Sequence, residues 1–414
     1  MAVIRPFRAI RPAQGLAEQT AALPYDVYNR QEAKEAVKNA PLSFLRIDRA
    51  ETCFDDSVDT YDARVYEKAR ELLAEQIKNG VYVTEETPCY YLYELVMDGR
   101  SQTGIVGCAS IDDYERGVIK KHENTRADKE EDRIRHVDAL NAQTGPIFLA
   151  YRDRDDLHEV VLRQKKNAPL YDFTSEDGIS HKVYRVEGEE DTGRIRDLFA
   201  GMEQIYIADG HHRCASAVKV GQKRRREHPG YTGEEEFNYF LSVLFPDSEL
   251  KILDYNRVVR DLNGLTEEAF LEKISECFSV ECTGKEAVRP ARKGQFGMYL
   301  GGRWYCLSAK NTDAGKKTNP VEGLDVSLLQ DTLLGPVLGI KDPKTDKRID
   351  FVGGIRGLSE LERRVHTDMA VAFSLYPTSI AELFAVADAG LLMPPKSTWF
   401  EPKLRSGLFI HSIE

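Results

Sequence analysis

The sequence lacks the features that mark membrane or secreted proteins. No run of about 18 apolar residues occurs, and the opening MAVIRPFRAIRP contains no apolar signal-peptide core. The 7 cysteines form no Cys-x-x-Cys pair and no zinc-ligand spacing. An odd number of scattered cysteines is typical of a reducing compartment, so we expect a cytoplasmic protein without a membrane partner.

Several common catalytic signatures are also missing. The chain has no Gly-x-x-x-x-Gly-Lys-Ser/Thr loop and no Gly-x-Gly-x-x-Gly after a predicted strand, which excludes Walker and Rossmann phosphate sites. It has no Gly-x-Ser-x-Gly elbow and no His-Glu-x-x-His helix. These absences exclude an α/β-hydrolase nucleophile and a zinc-protease site.

Net charge and chain length limit the partners and the number of domains that we expect. The formal net charge of −11 repels a phosphate backbone, so we do not expect nucleic acid as a partner. A chain of 414 residues is long enough for two or three domains. Changes of pattern predict an N-terminal α/β segment over 1–87, a core over 88–250 and a C-terminal α/β domain over 251–414. Homo-oligomerisation is left open.

Helices and strands alternate along the chain, which predicts a mixed α/β or α+β fold. The alternating runs 89–97 and 102–111 predict a hairpin around Asp98-Gly99. Apolar spacing predicts helices over 127–142 and 324–338, and a closing strand over 408–413. A loop is expected over 314–323, where Gly and Lys are frequent.

The stretch QIYIADGHHRCASAVKV is the most informative part of the chain. It predicts a buried strand ending at Asp209, a turn at Gly210 and a helix beginning at His211. A helix N-terminus after a tight turn attracts phosphate through unpaired N–H groups and the helix dipole. Arg213, His211 and His212 add donors, and Asp209 is a candidate metal ligand. The alternative is an ordinary strand–turn–helix with polar residues at its solvent end.

A second motif, GVIKKHENT, places charged groups just before a predicted helix. Glu123, next to His122, has the character of a general base whose pKa is adjusted by its neighbours. Lys120 and Lys121 are candidate partners for phosphate. The alternative is a charged helix cap, with Thr125 or Asp128 as the N-cap residue.

A third motif, PPKSTWFEPKLRSGLF, combines hydroxyls and cations near the C-terminus. Its candidate residues are Lys396, Ser397 and Thr398, whose side chains are suited to a carboxylate or a phosphate. The alternative is an amphipathic C-terminal β-segment.

The Asp-Gly-His-His-Arg turn resembles the phosphate-binding signature of the ParB/sulfiredoxin fold. Within that fold, the chain resembles the free-serine kinases, which transfer phosphate from ADP or ATP to L-serine. Those kinases carry a Pro-His-Glu whose Glu is the general base, and Lys121-His122-Glu123 stands in its place. The openings RPFRAIRP and PYDV, with KKHENT and IADGHHR, also look like a widespread bacterial family without an assigned function.

The third motif follows the same layout. The kinases have a Pro-Thr, a helix, a Gly and then a Pro-Lys-Thr-Thr; here Pro377-Thr378 and Gly390 precede Pro395–Thr398. The chain departs from them at Trp399-Phe400, where they have Arg-His, and about 115 residues precede the first motif.

The resemblance implies a ParB/sulfiredoxin-like core and a nucleotide-dependent kinase acting on a small-molecule hydroxyl, with free L-serine as the lead acceptor. It implies that Glu123 is the base. We expect Gly210–Arg213 to bind the donor phosphates of ADP or ATP, and Asp209 or a nearby carboxylate to hold Mg²⁺. Lys396, Ser397 and Thr398 would bind the acceptor or the product phosphate. Two rivals stay open: a ParB-like nucleotide-binding regulator without turnover, and a phosphatase or nucleotide hydrolase.

Overall fold

A computed structural model describes residues 1–310 and 319–414. Residues 314–318 of the loop expected over 314–323 lie outside the described residues. The strands in the first 250 residues are β1 Ile4–Arg5, β2 Ile10–Pro12, β3 Tyr82–Thr84, β4 Tyr91–Met97, β5 Arg100–Ser110, β6 Ile119–Lys120, β7 Ala142–Gln143, β8 Ile147–Tyr151, β9 Tyr171–Thr174, β10 Ser180–Arg185, β11 Ile205–Asp209 and β12 Tyr239–Pro246.

The later strands are β13 Ile252–Leu253, β14 Tyr255–Val259, β15 Phe278–Gly284, β16 Gln295–Leu300, β17 Arg303–Ala309, β18 Ile349–Gly353, β19 Val371–Leu375, β20 Trp399–Phe400 and β21 His411–Ser412. The α-helices are α1 Ala17–Thr20, α2 Arg30–Val37, α3 Leu45–Asp48, α4 Ala63–Lys78, α5 Ile111–Glu115, α6 Ala127–Leu140, α7 Asp155–Gln164, α8 Glu189–Ala200, α9 His211–Glu227, α10 Glu267–Cys277, α11 Asp325–Leu329, α12 Leu358–Thr367 and α13 Ile380–Asp388.

The chain divides into two compact units. Unit 1 comprises Met1–Leu250 and the closing segment Pro402–Glu414, and unit 2 comprises Lys251–Glu401. Residues 1–87 and 88–250, expected as separate domains, both lie in unit 1. Helices accompany mainly antiparallel sheets in both units, so the predicted α+β class is confirmed.

The main sheet of unit 1 has nine strands in the order β6-β11-β8-β12-β5-β4-β10-β9, with β1 also paired to β5. Most neighbours are antiparallel, but β6 runs parallel to β11 and β8 runs parallel to β12. Apolar side chains of these strands and of α9 form a buried cluster that includes Ile207, Phe240 and Val218. The sheet therefore holds β11 and the start of α9 on a rigid base.

The N-terminal helices of unit 1 pack on a second cluster. Phe44, Val65 and Leu73 from this segment meet Leu140 of α6 and Ile410 of the closing segment. Helix α2 begins with a capping box between Asn29 and Glu32, which satisfies two otherwise unpaired N–H groups. The first 80 residues thus build a small helical layer against α6.

Unit 2 contains a six-stranded antiparallel sheet in the order β15-β17-β16-β19-β14-β18. Its core includes Trp304, Val258 and Leu361. The two residues of β20 pair with β13, so Trp399 and Phe400 lie in a short ladder of their own.

Several predicted boundaries differ from the structure. Helix α6 ends at Leu140, because Asn141 adopts φ 50° in the left-handed region. The helix expected over 324–338 is α-helical only over Asp325–Leu329 and widens to a π-turn up to Leu334, before Pro336 removes a backbone donor. Of the expected closing strand, His411–Ser412 forms β21 and pairs with β7, and Ile410 forms an isolated bridge with Ile10.

Close packing rather than helix propensity explains Gly221 in α9. A Cβ at this position would lie 2.5 Å from the carbonyl oxygen of Phe237 and 2.7 Å from Ile111. Gly193 in α8 has only an Arg196 nitrogen, at 4.0 Å, near the equivalent position. An added methyl group should therefore destabilise the fold at Gly221 and stabilise it at Gly193.

We predict that Gly221→Ala lowers the free energy of unfolding by about 1–2 kcal/mol, because overpacking exceeds the gain in helix propensity. The control Gly193→Ala should raise it by about 0.5–1 kcal/mol. Urea denaturation measures both. Equal stabilisation by the two substitutions would contradict the close contact at Gly221.

Candidate functional site

Two parallel neighbouring strands bring the first two sequence motifs together. Ile119 pairs with Ile205 and Lys120 with Tyr206, so β6 and β11 end at the same edge of the sheet. The loop from Lys121 to Arg126 leaves β6 beside the turn that leaves β11. This edge is the candidate site, and we call it the β6–β11 edge.

Gly210 makes the turn into α9. Its φ of 90° and ψ of 33° are left-handed, a region that favours glycine. A Cβ here would also lie 3.1–3.2 Å from the guanidinium of Arg213. The first turn of the helix that follows has no acceptors for its N–H groups within the helix, so the expected anion-attracting end exists at this position.

Asp209 is held by a cation from the closing segment of unit 1. Its Oδ2 lies 2.8 Å from Lys403 Nζ, and its Oδ1 accepts from the Gly210 N–H at 2.8 Å. Burial alone would raise the pKa of Asp209, but Lys403, Arg213 and the Gly210 amide lower it far below its usual value. The carboxylate is therefore ionised across the physiological range.

These contacts bear on the expected magnesium ligand. Mg²⁺ prefers oxygen ligands and commonly uses one or two carboxylates with substrate phosphates. In the described residues no group of three or more His, Cys, Asp or Glu side chains is arranged to hold a metal. As arranged, the Asp209 carboxylate does not fit a metal ion, because Lys403 Nζ already contacts Oδ2 and the Gly210 N–H contacts Oδ1. Mg²⁺ at Asp209 stays a prediction.

His122 and His211 form a buried pair. Their ring centroids are 4.4 Å apart and their ring planes meet at 87°. The backbone N–H of His122 donates to His211 Nε2 at a long 3.4 Å. Burial lowers the pKa of His122 to about 4, and the Asp209 carboxylate only partly opposes this. Burial and then His122 lower the pKa of His211 far below its usual value. Both rings are neutral at pH 7.

The loop that carries Glu123 is tied to α9 a second time. The Arg126 N–H donates to His212 Nε2 at 3.0 Å, and Thr125 donates to Glu130 at 2.7 Å. Glu123 is half-buried in the middle of this loop. The structure thus places the predicted base in a segment anchored at both ends to the predicted phosphate turn.

Arg213 lies across Gly145 and Pro146. Its Nη1 donates to the Pro146 carbonyl at 2.5 Å, and no other hydrogen bond of its guanidinium is formed within the described parts of the chain. The remaining N–H groups are left for an anion. Lys120 is half-buried on β6, whereas the Lys121 ammonium lies 6.0 Å from the Tyr114 ring centroid.

The third motif lies in unit 2. Ser397 is buried, its hydroxyl donates to Pro394 O at 2.7 Å, and Thr378 donates to Ser397 O at 2.9 Å. Lys396 is exposed, with a left-handed φ of 58°. Thr398 is half-buried. The role of these residues toward an acceptor stays a prediction.

Sequence reasoning missed Lys403. The residue lies inside the third motif, in EPKLRSG, but nothing local distinguishes it from Lys396. Only the return of the closing segment to unit 1 brings it to Asp209, 194 positions away. The one sequence signal for this contact is that Lys403 is a cation near the C-terminus, able to pair with a distant carboxylate.

The chain belongs to the family described as Protein of unknown function (DUF1015), whose model matches residues 4–327. No curated protein matches it. No helix in the described ranges is both long and apolar enough to cross a bilayer.

Solved structures show only a weak likeness. A free serine kinase mutant in complex with AMP has 14% identity and a TM-score of 0.38, covering 74% of this chain and 91% of that one. SbnI from Staphylococcus aureus, with a C-terminal truncation, has 11% identity and a TM-score of 0.39, covering 74% and 87%. A conserved hypothetical protein from Pyrococcus furiosus has 16% identity and a TM-score of 0.36, covering 74% and 95%.

The neutral histidine pair predicts acid sensitivity. Below pH 6.5 the unfolded chain protonates His122, but the folded chain does not until about pH 4, so stability is fully present above pH 6.5 and falls as the pH drops through this window. We predict that His122→Gln flattens the pH dependence of the unfolding free energy there by up to about 1.4 kcal/mol per pH unit. Denaturant titrations at several pH values measure the slope. An unchanged slope would contradict a neutral, buried His122.

Proposed function

We propose that the chain is a nucleotide-dependent phosphotransferase that phosphorylates a hydroxyl group of a small molecule, with free L-serine as the lead acceptor. One observation carries the proposal: the parallel pairing of β6 and β11 sets Glu123 in a loop anchored to the Gly210–Arg213 turn. A candidate base beside a candidate phosphate site is what transfer to a hydroxyl needs. The order of the three motifs, which resembles that of free-serine kinases, supports it.

The donor phosphates would bind at the start of α9. The N–H groups after Gly210 and the positive end of the helix dipole favour phosphate oxygens. Arg213 adds the guanidinium N–H groups that Pro146 does not use. Lys120 and Lys121 add positive charge. Charge neutralisation and positioning are the main requirements of phosphoryl transfer.

His211 would act as a neutral donor. Its Nε2 accepts a long hydrogen bond from the backbone N–H of His122, and an accepting Nε2 leaves the ring proton of a neutral histidine on Nδ1. His212 Nε2 accepts from the backbone N–H of Arg126. The base role goes to Glu123, as the resemblance to the free-serine kinases implies.

In the proposed step, the acceptor oxygen attacks the terminal phosphorus of ADP or ATP while Glu123 takes the hydroxyl proton. The new O–P bond forms as the phosphoanhydride bond breaks, and AMP or ADP leaves with the bridging oxygen.

Replacing the base tests the proposal directly. We predict that Glu123→Gln lowers kcat by about 10²–10⁴-fold, because the amide cannot take the proton, and leaves the dissociation constant of ADP nearly unchanged. The matched control is Glu131→Gln, an exposed residue of α6 paired with Arg135 at 3.0 Å. Mass spectrometry of the acceptor after incubation with ADP or ATP measures transfer. Wild-type turnover in Glu123→Gln would show that another group is the base.

The same assay separates the rival functions. Nucleotide binding without any phosphorylated acceptor, across a panel of free amino acids and small alcohols, would favour a regulator. Phosphate release that does not depend on an acceptor would favour a hydrolase. Either result would overturn the kinase assignment, and a phosphorylated product would name the substrate.

A further inference from the structure

A cavity of about 240 Å³ lies in unit 1 between the N-terminal helices and α6. A second, smaller cavity of about 30 Å³ shares four of its lining residues and reaches Arg213. The shared residues are Tyr25, Asp48, Arg133 and His136. The larger cavity uses none of the residues assigned above to phosphate, base or acceptor.

The charges of the larger cavity balance. Its charged side chains are three cations and three anions: Arg49, Lys129, Arg133, Asp48, Glu51 and Asp132. A net charge of zero draws neither an anion nor a cation strongly. A ligand that carries one charge of each sign meets an attractive partner for both.

Some of these charges are satisfied within the protein. Arg49 pairs with Glu51 at 2.5 Å and donates to the carbonyls of Tyr25 and Tyr28. Asp132 accepts from Tyr66 at 2.9 Å and from Arg133 at 2.8–3.0 Å. These paired groups form the walls of the cavity. A ligand must therefore be recognised by side-chain atoms that are not already hydrogen-bonded within the protein.

Two buried charged groups keep unused hydrogen-bonding atoms. Arg133 is 7% exposed, its Nε and Nη2 face Asp132, and its Nη1 makes no hydrogen bond to any described residue. Asp48 is 5% exposed; its Oδ1 accepts from Thr144 at 3.0 Å, and its Oδ2 has no donor in the described chain. Arg133 Nη1 can therefore donate to a ligand, and Asp48 Oδ2 can accept from one.

Tyr25 adds a third group to the same wall. Its ring lies 4.0 Å from the Arg133 guanidinium carbon, and its hydroxyl makes no hydrogen bond within the described ranges. The hydroxyl is therefore available to a ligand, and its removal breaks no hydrogen bond among the described residues.

We propose that this cavity is a binding site for a small zwitterion of the free amino acid class. The carboxylate of the ligand pairs with Arg133 and the Tyr25 hydroxyl, and its ammonium group pairs with Asp48. The shared wall with the Arg213 cavity makes the acceptor of the proposed reaction the natural occupant. The cavity would then take the acceptor role that the sequence predicts for Lys396, Ser397 and Thr398. That role rests on the proposed function, whereas the binding itself needs neither nucleotide nor transfer.

Calorimetry on the full chain without nucleotide tests the site, with L-serine and L-alanine as probes. Lactate lacks the ammonium group and ethanolamine lacks the carboxylate, and both should bind at least about tenfold more weakly. Comparable binding of either analogue would overturn the proposal, and so would no binding of either amino acid.

Two variants locate the binding. Tyr25→Phe should weaken amino acid binding about 3- to 10-fold without loss of stability, and Asp48→Asn about 10- to 100-fold. The controls are Tyr91→Phe, a buried tyrosine outside the cavity, and Asp138→Asn, whose carboxylate pairs with Lys223 and Arg224. If Asp48→Asn fails to fold, Tyr25→Phe alone decides, and wild-type affinity in it would overturn the proposal.

Transfer assays separate this inference from the proposed function. Amino acid binding that the cavity variants weaken, without phosphate transfer from ADP or ATP, would support the cavity and refute the kinase. Transfer with an unchanged KM for the acceptor in Tyr25→Phe would support the kinase and refute the cavity.

Discussion

The proposed site depends on the parallel pairing of β6 with β11. Strand β6 is only two residues long and lies at the edge of the nine-stranded sheet. Such a short strand has few ladder hydrogen bonds, so its position needs further support. The His122–His211 pair and the bond from Arg126 to His212 supply it. His122, His211 and His212 therefore hold the loop of Glu123 beside the phosphate turn. Replacing any of the three would shift the proposed base.

Charges in unit 1 are matched by partners that come from distant parts of the chain. Asp209 meets Lys403, and Asp48 meets Thr144. A buried charge without a partner costs several kcal/mol, so these pairs require the closing segment and the N-terminal helices to be in place together. The Asp209–Lys403 pair ties Pro402–Glu414 to unit 1, although all of unit 2 precedes this segment in the chain. The ionised Asp209 and the neutral His122 are both consequences of this packing.

Local features of the fold were predictable from the sequence, and long-range ones were not. The hairpin at Asp98-Gly99 and the turn at Gly210 depend on glycines that adopt left-handed φ values, and such signals lie within a few residues. Three strands of the unit 2 sheet were missed, the inner strands β14 and β19 and the edge strand β18, because short buried strands have no clear alternation. Lys403 and the wall formed by Tyr25, Asp48 and Arg133 depend on contacts across more than 80 positions. No spacing of residues in the sequence predicts these contacts.

The overall negative charge does not oppose a phosphate site at the β6–β11 edge. A net charge of −11 describes the field at a distance, whereas a bound phosphate responds to groups within a few ångströms, where screening is weak. At this edge the helix N-terminus, Lys403, Arg213, Lys120 and Lys121 oppose the carboxylates of Asp209 and Glu123. The same reasoning separates the amino acid cavity from the phosphate turn. The cavity balances its charges within its own walls, so it discriminates against a phosphate that the turn attracts. Two neighbouring sites of different electrostatic character would suit the two reactants of the proposed reaction within one unit.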